Sequence, residues 1–253
     1  MIKLLFLLNI IFAQFNIDDF NATLDKIKTE KNIIKKVLTI SENMLGIPFK
    51  HNPIDKNEEK LEFTFDGVDC VTFVETVLAL AIEPDIEKSV DVLKKIRYNN
   101  KQPSYSNRNH FMVSQWIPYN IKNGYIEEIT HKLVKKDNLT SDKKVLTVDS
   151  FGDKFKSFLK IKENIPFGEY DYKYIEINYF INNFYKIKVP EGSIMAVVRE
   201  NSDNYPIVIS HIGFIAYKNK IPYFRSAVVS TKFKEVKDFK LIPYLSFYKK
   251  WNI

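Results

Sequence analysis

One cysteine, Cys70, stands in a chain of 253 residues, and that scarcity excludes an internal disulfide framework. A lone thiol is either packed as a small apolar group or kept for chemistry. Histidine is nearly as scarce at 4 residues. No His or acidic cluster shows metal-ligand spacing, so neither a metal nor a cofactor is expected. Glycine is low at 7, and repeats and low-complexity linkers are missing. The chain also lacks the Arg-rich, aromatic-interleaved clusters of RNA-binding proteins, which argues against nucleic acid as a partner. After the first residues no apolar run is long enough to span a bilayer, so no stable membrane insertion is expected of the mature chain.

What is present is ordinary globular composition, with 45% hydrophobic and 27% charged residues. Aromatics are abundant, at 20 Phe and 14 Tyr. The net charge of +7 and pI of about 9.1 favour anionic partners such as membrane headgroups or acidic wall polymers. Residues 1–13 have the layout of a secretory signal: Lys3, an apolar run over 4–12 broken by Asn9, and Ala13-Gln14 as a small-residue cleavage point. The expectation is an exported, periplasmic or extracellular monomer with a single domain over residues 14–253.

Near-helical apolar spacing over 31–44 predicts an amphipathic helix ended by Gly46 and Pro48. Residues 61–65 alternate as a short strand or extended entry. Residues 70–82 are apolar almost all round, which predicts a central helix packed on both sides and stopped by Pro84. A more ordinary helix follows over 86–98. Helices are also expected over 107–123 and, more weakly patterned, over 151–159. From residue 189 the texture changes to β-branched and aromatic runs at 193–199, 207–217, 221–224 and 227–229, separated by turn residues. Residues 241–251 predict a short closing helix. Helices first and an antiparallel meander last define an α+β class.

Asp69 can cap the helix that Cys70 opens, and the unpaired N–H groups of a first helical turn favour a thiolate. Packed as a small hydrophobe, the same cysteine would be inert. A nucleophilic sulfur needs a base. His51 and His131 sit in charged surroundings, whereas His211 lies in the apolar run Ile207-Val208-Ile209-Ser210-His211-Ile212-Gly213-Phe214-Ile215. An imidazole there requires a partner, either a backbone group or a reactive one. Gly213 would let a helix approach that imidazole. Arg108 and His110 form a further pair: a fixed guanidinium could clamp a carboxylate, or the two could serve an ion pair and a helix cap. Glu75, within the apolar helix, must be paired if ionised.

Asp69-Cys70-Val71-Thr72-Phe73-Val74 resembles the Asp-Cys-x-x-Phe-Val signature of NlpC-type papain-like cysteine peptidases, and Ser210-His211-Ile212-Gly213-Phe214 is similar to their histidine strand. More closely, residues 65–81 together with Arg108-Asn109-His110-Phe111, Trp116-Ile117, Asn120, Gly124 and Ile129-Thr130 resemble the N-acetylmuramoyl-L-alanine amidase-like branch. The resemblance implies a papain-like fold, with N-terminal helices and the nucleophile helix packed on a C-terminal antiparallel sheet. It implies Cys70 as nucleophile and His211 as base, cleaving an amide of peptidoglycan or a wall peptide. The third catalytic position, usually His, Asn or Gln, falls on Ser226. Asp69, Arg108 and His110 are the candidates for substrate binding.

Overall fold

The computed structural model describes residues 15–54, 62–99, 101–153, 155, 156, 159, 164–230, 232–248, 252 and 253. The expected signal segment 1–13 lies outside them. Four helices open the chain: α1 (Ile17–Ile27), α2 (Ile33–Asn43), α3 (Cys70–Ile82) and α4 (Ile86–Tyr98). Asn16 caps α1 and Asn32 caps α2, each side-chain oxygen accepting two backbone N–H groups of the first turn. Asp85 caps α4, accepting the Lys88 N–H, and the left-handed Asn99 ends it. Every residue from Thr72 to Ala81 in α3 is buried, as an all-apolar helix requires.

After α4 the backbone turns irregular. Residues 108–111 are not helical; a π-helical turn over Met112–Trp116 follows and leads into α5 (Ile117–Lys122). The expected helix over 107–123 is thus broken, and its first third is loop. Short α6 (Thr130–Leu133) precedes β1 (Thr140–Leu146) and β2 (Gly168–Tyr174), which pair as a two-stranded antiparallel sheet. Sequence patterning missed this hairpin because its exposed positions carry charges that obscure the alternation. Of the expected helix over 151–159, Asp153, Phe155, Lys156 and Leu159 follow a 3-10 helical course, and residues 154, 157 and 158 lie outside the described residues.

The antiparallel meander is present as β3 (Ile194–Val198), β4 (Ile209–Lys218) and β5 (Ile221–Val229), and it gains a strand not expected from the sequence, the charged β6 (Lys234–Lys240), in that order. The two runs at 221–224 and 227–229 are one continuous strand. Helices α7 (Ile177–Asn183) and α8 (Leu241–Ser246) complete the fold. One core joins α1 to α4 with Ile209, Ile212, Phe214, Ala227 and Val236 of the sheet. A second joins α7 and α8 with Val197, Ile215 and Phe224. The sheet therefore carries a layer on each face, and α3 lies on the first, with Phe73 edge-on to Phe214 at 5.7 Å. This is the α+β arrangement expected.

The buried charge on α3 is met from two elements. Glu75, 2% exposed, accepts Arg97 Nε–H at 2.6 Å and Trp116 Nε1–H at 3.0 Å. Arg97, on α4, is itself 1% exposed, and its carbonyl accepts the N–H of Asn109 at 2.9 Å. One carboxylate thereby ties α3 to α4 and to the π-helical turn, and through the Arg97 backbone to the loop carrying Arg108. Removing the charge leaves a buried guanidinium unpaired, at a cost of about 3 kcal/mol or more. Glu75→Gln is expected to lower Tm by roughly 6–12 °C. A drop of under about 2 °C in calorimetry would show that the pair does not hold the helices.

Candidate active site

Cys70 is the first residue of α3, and its position is set by a reciprocal cap. The Asp69 carboxylate accepts the Thr72 N–H at 2.8 Å and the Thr72 hydroxyl at 2.9 Å, while the Asp69 N–H donates to Thr72 Oγ1 at 2.9 Å. Asp69 thus spends its carboxylate on the helix end. The Cys70 residue is half-buried. Burial and the neighbouring Asp69 charge push its thiol up to about 12. The backbone N–H groups of Ile212, Cys70 and Val71 bear on the sulfur and pull the other way, but lose. Of the two readings the sequence leaves open, an activated thiolate and a thiol packed as a small apolar group, the raised thiol at rest leans to the second. The capping charge sits beside the sulfur and opposes a second negative charge there.

The Ile212 N–H beside the sulfur brings the thiol against the strand that carries His211. That strand is irregular at this point: Val197 pairs with His211 and Val198 with Ile209, so Ser210 is one extra residue. Its hydroxyl donates to the Val197 carbonyl at 3.1 Å. The bulge resets the alternation, leaving both Ile209 and Ile212 in the core around α3. The imidazole meets the Phe224 ring edge-on at 5.5 Å, and Phe224 in turn packs on Tyr244 of α8 at 5.1 Å. His211 Nε2 is buried without a hydrogen-bond partner among the described residues. Burial holds the ring down at about 4. Cys70 and His211 are not hydrogen-bonded to each other in this conformation.

Ser226 is fully buried and donates its hydroxyl to the Ile212 carbonyl at 2.6 Å, not to the imidazole. Gly213 makes room for β5 and not for a helix. A Cβ there would meet the Arg225 carbonyl at 2.5 Å, Ser226 Cβ at 2.7 Å and Phe224 Cε2 at 2.8 Å. Arg225 faces away, forked onto Asp238 at 2.7 and 2.9 Å and onto Ser41 Oγ of α2 at 3.0 Å. Of the other candidates, Arg108 lies over the Tyr105 ring with Cζ at 5.5 Å from its centre. His110 donates from Nε2 to the Tyr105 carbonyl at 2.5 Å. His51 and His131 are exposed, as their sequence surroundings suggest. No group of His, Cys, Asp and Glu among the described residues could hold a metal ion.

Sequence reasoning overlooked two groups close to this region. Ser114 sits on the π-helical turn with a buried hydroxyl lacking a partner among the described residues, and Lys144, 2% exposed, points inward from β1. The signal for Lys144 is its two-residue spacing from buried Leu146 on one strand face.

Two outcomes follow from the electrostatics. A thiol at about 12 holds little thiolate at pH 7, so iodoacetamide is expected to label Cys70 at least about tenfold more slowly than free cysteine there, the rate still climbing above pH 10. Rapid labelling below pH 7, read by intact mass, would contradict the placement of Asp69. For His211, a folded value near 4 lies below the ordinary 6.5, so between those pH values the unfolded chain holds a proton the folded chain refuses. The neutral ring's full contribution is present above pH 6.5 and is lost as pH falls toward 4, by at most about 3 kcal/mol. His211→Gln is expected to flatten the fall in Tm over that window, and an unchanged slope would contradict the burial of a neutral imidazole.

Similar proteins agree with this architecture. A crystal structure from Legionella pneumophila superposes with a TM-score of 0.77 at 22% identity, covering 93% of this chain and 91% of that one. A structure described as an N-acetylmuramoyl-L-alanine amidase from Bacteroides uniformis gives 0.65 at 22% identity, over 86% of this chain and 96% of the other. No curated protein matches in sequence. Likeness at that identity speaks for the fold alone. The sequence pattern described as AmiA-like, N-acetylmuramoyl-L-alanine amidase-like, matches residues 39–250. With that span running from α2 to beyond α8 and enclosing Cys70, His211 and the whole meander, the chain belongs to the AmiA-like, N-acetylmuramoyl-L-alanine amidase-like family.

Proposed function

We propose that this protein is an exported cysteine hydrolase of the NlpC-type papain-like superfamily, cleaving an amide of peptidoglycan at the lactyl–L-alanine bond or within the stem peptide. The observation that carries the reading is the seating of the one cysteine at the start of the central helix α3, which packs on β4, the strand that carries His211. The amidase-like family supports the substrate class. A net charge of +7 suits an anionic wall polymer outside the cytoplasm.

The raised thiol and lowered imidazole mean that both groups rest neutral at pH 7. A standing thiolate–imidazolium pair is disfavoured, so proton transfer accompanies attack. His211 accepts the thiol proton as Sγ bonds to the amide carbonyl carbon. Charge on the carbonyl oxygen is met by backbone N–H groups at the helix start. Collapse of the adduct breaks the C–N bond while His211 protonates the leaving amine, giving a thioester. Water then attacks it with His211 again as base, and the C–S bond breaks as the imidazolium returns the proton to Sγ, releasing the acid and the free thiol. The imidazole must close on the sulfur for this, and such contacts tighten when substrate binds. Ser226, its hydroxyl proton committed to the Ile212 carbonyl, serves the sheet, and the pair works as a dyad.

A second reading draws on the same features. An imidazole with an unpartnered Nε2 and a thiol at about 12 also suit a weakened enzyme that binds wall fragments. Digestion of purified peptidoglycan separates the two. Mature protein is expected to release soluble fragments with new amino termini, Cys70→Ala and His211→Ala to lose at least about a thousandfold, and Ser226→Ala to stay within about fivefold. Equal release by wild type and Cys70→Ala would overturn the cysteine mechanism. Tight binding without release would favour the second reading.

A further inference from the structure

The imidazole of His211 lacks the polar partner that would fix its plane. Ser226 donates to the Ile212 carbonyl, and Nε2 of the imidazole is buried with no hydrogen-bond partner among the described residues. The last torsion of a histidine side chain is soft, with a broad and roughly two-fold profile. A base that must meet the sulfur in one orientation needs that torsion held.

A ring contact is in place to hold it. Phe224 of β5 meets the imidazole edge-on, with centroids 5.5 Å apart and planes at 71°. An edge-to-face pair is favourable in that geometry and loses the gain when either ring turns. Phe224 is fully buried and is itself wedged from two sides. On β4, Gly213 is two residues from His211 and shares its strand face. A Cβ at Gly213 would lie 2.8 Å from Phe224 Cε2, so the missing side chain is the seat of the ring. Behind Phe224 stands Tyr244 of α8 at 5.1 Å, held in turn by Phe239 at 5.3 Å and by Tyr248 at 5.1 Å.

Charge is kept off this row of rings. Arg225, between Phe224 and Ser226, turns to the opposite face and forks onto Asp238 of β6. Asp69 spends its carboxylate on the cap of α3, beside the Cys70 thiol. From α8 come the phenols Tyr244 and Tyr248. Burial pushes Tyr244 up first, helped by its bond to Tyr248 and by any charge on Cys70. Burial is also the cause that lowers the imidazole, with no charged neighbour acting on it. Rings can thus orient the base without stabilising its charged form, which a carboxylate in their place would do.

We propose that Phe224 is the positioning residue of the reaction: seated over Gly213 and backed by Tyr244, it fixes the His211 imidazole by an edge-to-face contact in place of a hydrogen bond from a third polar residue. The proposal rests on the hydrolase reading for its link to turnover. Phe224 touches no reacting atom and acts through His211.

The test compares full-length Phe224→Leu with wild type and with Phe180→Leu, which thins the same core on α7, where Phe184 is the ring partner. On soluble wall fragments Phe224→Leu is expected to lower kcat at least about tenfold with KM within about threefold, and Phe180→Leu to stay within about threefold in both. Nitrogen NMR of the imidazole, assigned by signal loss in His211→Gln, reads positioning without turnover. Wild type is expected to show one neutral tautomer titrating near 4. Phe224→Leu is expected to show averaged tautomers and a titration moved toward 6.5, with Phe180→Leu unchanged from wild type. Tyr244→Phe keeps the backing ring and is expected to match wild type in these signals. Should Phe224→Leu fail to fold, judged by circular dichroism, Tyr244→Leu decides, with the same displacement of the His211 signals expected. Unchanged His211 signals in the folded variant overturn the proposal, as do equal changes in Phe180→Leu or an unchanged kcat beside altered signals. If wild type releases no fragments, the hydrolase reading falls, while the NMR comparison still decides whether Phe224 holds the ring.

Discussion

A carboxylate buried inside an apolar helix is the constraint around which this fold is organised. Glu75 cannot stay ionised between two hydrophobic layers unless other elements bring donors to it, and Arg97 and Trp116 do so from α4 and the π-helical turn. That requirement fixes where α4 lies and where the chain must return after the loop at 108–111. It also holds α3 in one rotation about its axis. With that rotation set, the residue at its start lies half-buried toward β4, and that residue is Cys70.

The same helix start carries two opposing electrostatic demands. A cap needs a side-chain acceptor, and Asp69 supplies a charged one, which lies next to the sulfur and works against thiolate formation. His211, on the bulged strand, is buried against Phe224 and resists protonation. Each group is thereby kept neutral until the other can share the proton. An account with a preformed ion pair would need the Asp69 charge removed or the imidazole solvated. In the proposed hydrolase, a neutral pair costs less to hold in an enclosed site and would defer charge separation to the moment of attack.

Much of this could be read from the chain, and what could not has physical causes. Helices α3 and α4 are legible to the residue, because Asp69 and Asp85 cap them and Pro84 divides them. Strands β3 to β5 are legible because they are β-branched and bounded by turns, whereas β6 is hidden by its charged residues. The hairpin β1–β2 is hidden by charge: Asp142, Lys143 and Lys144 read as solvated, although Lys144 is almost wholly enclosed. The loop at 108–111 is hidden because its extended course follows from backbone bonding to Arg97, a tertiary effect with no local signal. For the site, Cys70 and His211 stand out as rare residues in apolar contexts. The direction of the thiol's shift does not, because it depends first on how deeply the tertiary packing buries the sulfur and then on the nearby capping carboxylate.

The most direct test of the account is the chemical fate of Cys70 during turnover. Soluble wall fragments mixed with the protein and quenched in acid within milliseconds to seconds are expected to leave a thioester on Cys70, detected as a mass increase equal to the acyl fragment and mapped by peptide sequencing. Accumulation of cleaved product with no acyl group on Cys70 at any time, or with the adduct on another residue, would contradict it.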